Sequence, residues 1–175
     1  MLKSMFIGTR LEALTALSYY TQIESIITEK ESFIGKSDFS NQHNYFLIND
    51  FSKEDIFKKI FDTQVDIVLS SGFKFILPKS KIAKDKIYLN SHPSLLPKYK
   101  GLYAIKNAYK KNEEFIGSTL HYMEEKVDAG EIIFQEKFNI KKMTLDEVYQ
   151  AVFSFLEPYV IIKGMEKIVD GINKK

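Results

Sequence analysis

The hydrophobic positions near the start of the chain change from a strand pattern to a helix pattern and back. The segment Leu2–Gly8 is a short apolar run that ends in glycine, and Leu11, Leu14 and Leu17 then recur on one helical face. Residues 23–28 return to a strand pattern. A strand, a glycine turn, a helix and a second strand predict a parallel β-α-β unit of the dinucleotide-fold type.

The same patterns predict the order of elements along the rest of the chain. In the first half we expect a loop at 29–44, a strand at 44–50, a helix at 52–63 and strands at 64–72 and 86–90. In the second half we expect a helix at 101–111, strands at 117–124 and 131–140, and a terminal helix that starts near residue 144. This order predicts an α/β fold of one domain over residues 1–175, with a mostly parallel central sheet flanked by helices.

Two helix starts carry recognisable caps. Ser52 is a candidate N-cap with Asp55 three residues later, and Thr144 with Glu147 forms a capping-box pattern.

Residues 64–72 are apolar on both faces, which is typical of a strand in the centre of a sheet.

The composition limits the possible classes of protein. The chain has 175 residues, of which 45% are hydrophobic and 27% charged, and this balance excludes a disordered chain. No apolar run approaches the roughly 20 residues that span a membrane, and the start turns polar too soon for a signal peptide, so we expect a cytoplasmic protein. The absence of cysteine excludes disulfides, thiolate metal sites and cysteine nucleophiles.

The charges argue against nucleic acid as a partner. The net charge is +2, and lysine and glutamate are scattered rather than gathered on one segment. Only Arg10 is arginine among 25 basic residues, so the chain has one place for a bidentate guanidinium contact with a phosphate or carboxylate. A lysine-rich composition can also reflect biased codon usage alone.

No pattern in the sequence indicates the oligomeric state.

Polar residues follow three of the expected strands, at the point where each strand ends. These are the turn Gly8–Arg10, the pair Ser71–Gly72 and the group Asn90–His92. Ligands of such folds bind at the carboxyl ends of parallel strands, so the three ends together predict a ligand site.

Asn90 and His92 have the parts of an oxyanion site. Pro93 favours an extended backbone at His92, and an amide together with an imidazolium could donate two hydrogen bonds to a carbonyl oxygen that becomes negative. An Asn-x-His pair is also common as a plain polar strand end, and this alternative stays open on these residues alone.

Asp128 is the candidate acidic partner. It lies between two expected strands and two residues before Gly130, where a carboxylate could orient and charge-stabilise His92. The sequence Asp-Ala-Gly is equally typical of a hairpin turn, and turn chemistry by itself favours that interpretation.

The other histidines and the missing motifs exclude several chemistries. We expect His121 to be a buried histidine near the site, and His43 is isolated in a polar loop, so we predict no metal. The glycine-rich dinucleotide motif, the Walker motif and the Gly-x-Ser-x-Gly motif are absent, which argues against NAD, nucleotide triphosphate hydrolysis and an α/β-hydrolase.

Taken together, these residues resemble the formyltransferases that use N10-formyltetrahydrofolate. Residues 90–97 read NSHPSLLP and are followed by Gly101, and residues 127–133 read VDAGEII. The strand that starts with Gly117 also matches. The resemblance is close over most of 65–140 and looser over the first strand and helix. It includes the glycinamide ribonucleotide, methionyl-tRNA and sugar N-formyltransferases.

The resemblance implies roles that the residues alone do not give. Asn90 would hold the formyl oxygen, His92 would stabilise the oxyanion and help move protons, and Asp128 would set the charge and position of His92. The nucleophile would be the amine of a small substrate. The residues implied for binding N10-formyltetrahydrofolate are Gly72, Phe73, Lys74, Phe75, Ile76, Leu77 and Val127. Those implied for the amine substrate are Gly8, Thr9, Arg10, Pro93 and Ser94.

Departures from the family pattern guide the choice of acceptor. Gly8–Arg10 stands where the glycinamide ribonucleotide enzymes carry a glycine-rich phosphate loop, and we expect no basic carboxy-terminal domain of the kind that the tRNA enzymes add, so a tRNA acceptor is not expected. An amino-sugar nucleotide is therefore our first expectation, with Arg10 near its phosphate. The alternatives are a glycinamide ribonucleotide acceptor, hydrolysis of formyltetrahydrofolate with water as acceptor, and a Rossmann-like binding module without activity.

Overall fold

The computed structural model describes residues 1–37, 44–78, 82, 86–124 and 126–174. The chain divides into two compact units, a first unit of Met1–Leu89 and a second unit of Asn90–Lys175. One domain over residues 1–175 stays a prediction.

The first unit contains a parallel sheet with the strand order β3-β2-β1-β4. Its strands are β1 (Leu2–Gly8), β2 (Thr21–Thr28), β3 (Asn44–Leu47) and β4 (Ile67–Ser71). Its helices are α1 (Leu11–Ser18) and α2 (Lys53–Asp62). The predicted β-α-β unit is confirmed, because β1 and β2 pair in parallel across the connection made by α1.

The apolar positions that predicted these elements form the core of the first unit. The last five residues of β1 and all of β4 are buried, as expected for a central pair of strands. Burial of each large aliphatic side chain contributes about 1.5–3 kcal/mol. The largest fully buried side chains of this unit are Met5, Phe6, Ile7, Leu17, Ile26, Ile27, Ile34, Ile56, Ile60, Ile67, Leu69 and Leu89.

Three predictions in this unit need comment. The strand predicted at 44–50 is shorter, because Ile48–Asp50 form a 3-10 turn after β3. Ser52 caps α2 as predicted, and its hydroxyl oxygen accepts a hydrogen bond from the Asp55 backbone N–H at 3.1 Å. Only part of the predicted loop at 29–44 can be compared, since residues 38–43 lie outside the described residues.

The close approach of two strand ends requires a glycine at the end of β1. Gly8 has φ of +145°, and a Cβ atom there would lie 1.8 Å from the Ser71 carbonyl oxygen. The Thr9 N–H donates to that same oxygen at 3.1 Å. The turns after β1 and β4 are therefore held together.

Strand β5 (Ile87–His92) ends in the second unit, where an antiparallel hairpin and the terminal helices follow it. The elements of this unit are α3 (Ala104–Lys110), β6 (Phe115–Tyr122), β7 (Ile132–Asn139), α4 (Leu145–Ala151), a π-helical turn (Val152–Leu156) and α5 (Glu157–Asn173). The predicted hairpin-like pair and the terminal helix are confirmed. Helix α3 begins three residues later than predicted, because Gly101 and Tyr103 both have positive φ.

The capping box at the start of the terminal helices is present in full. The Thr144 side chain accepts from the Glu147 N–H, and the Glu147 carboxylate accepts from the Thr144 N–H at 2.7 Å.

Within the described ranges, no helix is both long and apolar enough to cross a membrane. The cytoplasmic location stays a prediction.

Candidate active site

Asn90 and His92 lie on one face of the end of β5. Alternate residues of a strand point to the same side, so the spacing of two places both side chains together. Ser91, between them, is buried. The His92 side chain is only 7% exposed. The strand thus holds both functional groups at a nearly closed site.

Asp128 reaches this site from the loop that joins β6 and β7. Its backbone has φ of +49°, a left-handed conformation that aspartate tolerates better than most residues. Gly130 fixes the loop, because a Cβ atom there would lie 1.8 Å from the Tyr122 carbonyl oxygen. The turn interpretation is therefore right for the backbone but incomplete, since the Asp128 side chain is 8% exposed and bonded inside the site.

The carboxylate of Asp128 contacts groups from β5, from the loop that follows β5 and from β6, where His121 Nε2 lies 3.6 Å from Asp128 Oδ1. Its Oδ2 lies 3.2 Å from His92 Nδ1 and accepts a hydrogen bond from the Gly101 N–H at 2.7 Å. Its Oδ1 accepts from Asn90 Nδ2 at 3.3 Å. The three residues predicted as catalytic are therefore in mutual contact within the second unit.

Both ring nitrogens of His92 face oxygen acceptors. Nδ1 faces Asp128, and Nε2 lies 2.8 Å from the Tyr99 carbonyl oxygen. A carbonyl accepts only, so Nε2 carries a proton in this contact. A neutral ring then has no proton on Nδ1, whereas an imidazolium donates to both oxygens. The site is arranged so that Nδ1 of His92 can take up a proton and be paired when it does.

The Asn90 amide nitrogen lies between two partners. It donates to Asp128 Oδ1 at 3.3 Å and lies 3.2 Å from His121 Nε2. His121 Nδ1 donates to the Tyr122 carbonyl oxygen at 2.8 Å. Donation by Asn90 to a substrate oxygen therefore competes with these partners.

Burial and charge act in opposite directions on the two ionisable groups. Burial lowers the pKa of His92 below its ordinary value of 6.5, while the Asp128 charge and the Tyr99 carbonyl oppose this. Burial by itself would raise the pKa of Asp128. His121, the Gly101 N–H and His92 outweigh burial and hold the pKa of Asp128 below 3.8. A neutral His92 beside an ionised Asp128 is the resting state that these directions favour.

His121 is a buried histidine that contacts the site, as predicted. Among the described residues, no group of three or more histidine, aspartate or glutamate side chains could hold a metal ion. His43 lies outside the described residues.

In the first unit, the turn at Gly8–Arg10 lies beside Gly72. A Cβ atom at Gly72 would lie 2.8 Å from Thr9 Oγ1 and 3.4 Å from Arg10 Nε. The predicted meeting of these two strand ends is confirmed. The roles of Gly8, Thr9 and Arg10 in substrate binding stay predictions.

The segment after Gly72 runs without regular secondary structure and carries clustered aromatic rings. The Phe73 and Phe75 rings contact edge to face at 5.5 Å, and Phe75 contacts Phe57 at 6.2 Å. Lys74 and Ile76 are exposed, and Leu77 is buried. An irregular backbone beside half-buried rings fits a flat heterocycle such as a pterin, because it offers donors, acceptors and apolar surface. The folate role of this segment, like that of exposed Val127, stays a prediction.

Ser94 is bonded inside its own loop. Its hydroxyl donates to the Lys98 carbonyl at 2.7 Å, and its carbonyl accepts from Thr119 Oγ1 at 2.7 Å. Contact of Pro93 and Ser94 with a substrate stays a prediction, and the Ser94 hydroxyl already has a partner.

Sequence reasoning missed one participant, the main-chain carbonyl of Tyr99. A backbone contact of this kind carries no signal in residue type, so the residue letters could not have shown it. The Gly101 N–H contact with Asp128 is also a main-chain contact, although Gly101 itself belongs to the family pattern. Both contacts depend on the path of the loop between β5 and α3.

Comparison with known proteins decides the family. The sequence model described as formyl transferase matches residues 17–164. The chain belongs to the formyl transferase family.

Relatives of this family member include methionyl-tRNA formyltransferases from staphylococci. The chain is 32% identical over 117 residues to that of Staphylococcus epidermidis (strain ATCC 12228), which covers 66% of this chain and 38% of the relative. It is 31% identical over 118 residues to that of Staphylococcus aureus (strain JH1), with 67% and 38% covered. The chain thus spans well under half of the length of the curated relatives it matches.

Solved structures of the family share the fold. Phosphoribosylglycinamide formyltransferase from Anaplasma phagocytophilum is 28% identical with a TM-score of 0.81, covering 97% of this chain and 88% of that one. An N-formyltransferase from Helicobacter canadensis, solved in complex with folinic acid and dTDP-3-aminofucose, is 26% identical with a TM-score of 0.75, covering 98% and 65%. The predicted Rossmann-like α/β formyltransferase fold is confirmed.

Proposed function

We propose that this family member transfers the formyl group of N10-formyltetrahydrofolate to a primary amine of a small substrate. The observation that carries the proposal is the buried contact of Asn90, His92 and Asp128. It combines an amide donor, an imidazole whose pKa is lowered by burial, and a carboxylate whose pKa is held below its ordinary value. These are the groups needed to stabilise an oxyanion and move a proton.

Each member of the cluster has a separate task in this reaction. When bound, N10-formyltetrahydrofolate supplies the formyl carbon that the amine attacks. Asn90 donates an amide hydrogen to the formyl oxygen as negative charge develops there. His92 takes up, through water, the proton that the amine releases and returns it to the leaving nitrogen.

Asp128 supports this proton transfer without giving up its own charge. Its Oδ2 lies where it pairs with Nδ1 of His92 once that nitrogen is protonated. The Gly101 N–H fixes the same oxygen from the other side. The amine itself is the nucleophile, so the reaction needs no serine or cysteine nucleophile from the protein.

An amino-sugar nucleotide is the acceptor that we propose first. Arg10 is the one arginine of the sequence and lies beside the turn at Gly72, where a guanidinium fork could bind a phosphate. The similar Helicobacter canadensis enzyme was solved with an amino-sugar nucleotide. A glycinamide ribonucleotide is the second candidate, because the similarity to the Anaplasma phagocytophilum enzyme spans nearly the whole of both chains.

One assay separates these functions. Purified protein is mixed with N10-formyltetrahydrofolate and either a dTDP-linked amino sugar, glycinamide ribonucleotide or no amine, and formylated products are detected by mass. We expect formylation of the amino-sugar nucleotide. Formylation of the ribonucleotide alone would select the second acceptor. Release of formate in the sample without an amine would make the protein a hydrolase. If no product forms in any sample and calorimetry shows no binding of the folate, only the binding module remains.

A further inference from the structure

The Tyr99 carbonyl determines which nitrogen of His92 carries the proton. In a neutral imidazole one nitrogen donates and the other accepts, and the hydrogen bond made by one sets the state of the other. Tyr99 accepts from Nε2 at 2.8 Å, so the proton of the neutral ring stays on Nε2. Nδ1 is then left unprotonated and faces Asp128, which pairs with it when the ring takes up a proton.

The backbone of Tyr99 is unusual for such a large residue. Its φ is +56°, in the left-handed region, which is a strained conformation for a bulky residue. Such strain persists only where neighbouring contacts hold the backbone in place.

The phenol of Tyr99 supplies that contact. Its hydroxyl donates to Glu113 Oε1 at 2.7 Å, and Lys98 Nζ lies 3.3 Å from the same oxygen. The bond to Glu113 raises the pKa of the Tyr99 phenol, so the hydroxyl stays protonated and remains the donor. The link thus runs from Glu113 through the tyrosine side chain to the carbonyl that faces His92.

The Tyr99 ring is held by packing and by its hydrogen bond. It packs against a buried cluster of the second unit that includes Ile105, Ala108 and Ile116. Tyr99 and Glu113 also border a cavity of about 210 Å³, so packing encloses the ring on one side only. The hydrogen bond to Glu113 is the directional restraint on the ring.

The rest of the loop between β5 and α3 is anchored at both ends. Thr119 holds the Ser94 carbonyl at 2.7 Å, and the Gly101 N–H binds Asp128 at 2.7 Å. Tyr99 lies between these two anchors. Its side chain binds Glu113 outside the loop, and its carbonyl contacts His92 in the site.

We propose that Tyr99 is a positioning residue for His92, and that its hydrogen bond to Glu113 holds the carbonyl that keeps the His92 proton on Nε2. The role of this contact in catalysis rests on the proposed formyl transfer. The effect of Tyr99 on the His92 ring does not depend on that function.

Charged and polar groups from neighbouring elements surround His92 and Glu113. Asp128, Asn90 and His121 lie around the other side of His92. Lys98 and Lys111 act on Glu113. The variants below retain all of these groups. A change in the protonation of the His92 ring therefore reports the loss of the hydrogen bond between Tyr99 and Glu113.

The test reads the His92 ring directly by nitrogen NMR of the full chain. Tyr99→Phe and Glu113→Ala remove the phenol bond. We expect His92 in both variants to lose its fixed Nε2-protonated form and to titrate at lower pH than in the wild type, because the Tyr99 contact raises the pKa of His92. Tyr109→Phe is the matched control, since it removes a tyrosine hydroxyl bond to the Met143 carbonyl at 3.0 Å, away from His92.

Kinetics and a conservative variant complete the test. Glu113→Gln keeps an oxygen acceptor for the phenol and should restore the wild-type His92 signals. Where formyl transfer is measurable, Tyr99→Phe and Glu113→Ala should each lower kcat about ten-fold with little change in KM, and the double variant should be no worse than either. If one variant fails to fold, the other carries the comparison.

The outcomes that overturn the proposal are distinct from failure of the proposed function. Wild-type His92 signals and kcat in both Tyr99→Phe and Glu113→Ala would show that Tyr99 has no positioning role. An equal change in Tyr109→Phe would show a general loss of packing instead. Absence of formyl transfer in the wild type would overturn the proposed function while the NMR comparison still decides the role of Tyr99.

Discussion

Nδ1 of His92 lies 3.2 Å from Oδ2 of Asp128, although α3 and β6 separate the two residues along the chain. Both side chains are almost completely buried. The contact joins the end of a strand to a left-handed turn, and neither element would place an ionisable group in the interior without a partner. This pair is the centre of the chemistry that we propose.

Removing either member of the pair should reduce turnover strongly. We expect Asp128→Asn and His92→Gln to lower kcat by about 10² to 10³-fold, because charge stabilisation or proton transfer is lost while the shape is kept. Steady-state kinetics with the formyl donor and the accepted amine measure this. Asp146→Asn, at an exposed position, is the control and should keep wild-type kinetics. Activity within a few-fold of wild type in both site variants would remove the cluster from the mechanism.

The pH dependence of kcat/KM should report His92. The neutral ring is the form that accepts a proton, so activity should fall as pH drops through the pKa of His92, which burial holds below 6.5. The Asp128 charge raises that pKa, so the residual activity of Asp128→Asn should lose its acid limb only at still lower pH. An acid limb that moves upward in this variant would contradict the assignment.

Stability should also depend on pH through His92. Its pKa in the folded protein lies below the unfolded value near 6.5, so the unfolded chain binds more protons and the free energy of unfolding falls as pH drops below 6.5. Asp128 contributes in the same direction only below pH 3.8. Urea unfolding at about pH 7.5 and about pH 5.5 should show a smaller loss in His92→Gln than in the wild type. An equal loss in both proteins would argue against a lowered pKa.

Two glycine substitutions should have opposite effects on stability. Gly130→Ala places a Cβ atom 1.8 Å from the Tyr122 carbonyl oxygen, so we expect the loop to move, Asp128 to leave His92 and both stability and kcat to fall. Gly171 lies in α5 with nothing within 4 Å of an added Cβ atom, so Gly171→Ala should raise the free energy of unfolding by about 0.5–1 kcal/mol. Thermal unfolding and kinetics of both variants check this. Wild-type kcat in Gly130→Ala would show that the loop does not position Asp128.

Arg10→Lys tests the acceptor site in the first unit. The substitution keeps the charge and removes the planar fork, so KM for a nucleotide acceptor should rise about ten-fold while KM for the formyl donor stays unchanged. Lys36→Ala, at an exposed ion pair with Glu31, is the control from the same unit. Unchanged acceptor KM would place the phosphate elsewhere.

Much of the fold follows from local patterns in the sequence. The period of the apolar residues determined β1, α1 and β2, and the Thr144 capping box marked the start of the terminal helices, because these signals act between residues close in the chain. The same locality explains the errors. Nothing in the apolar pattern separates the 3-10 turn at Ile48–Asp50 from the strand before it, or shows that positive φ at Gly101 and Tyr103 delays α3.

The candidate site also combines features that the sequence predicts with features that only the structure shows. The sequence by itself placed Asn90 at the end of a strand and His92 just after it. The structure extends β5 through His92, and this extension puts both side chains on one face. Only the tertiary structure decided that Asp128 turns inward rather than serving as an ordinary turn residue. It also decided that His121 contacts Asn90 and that the Tyr99 carbonyl contacts His92. The physical reason is that these contacts depend on loop paths and on main-chain atoms common to all residues, and residue type encodes neither.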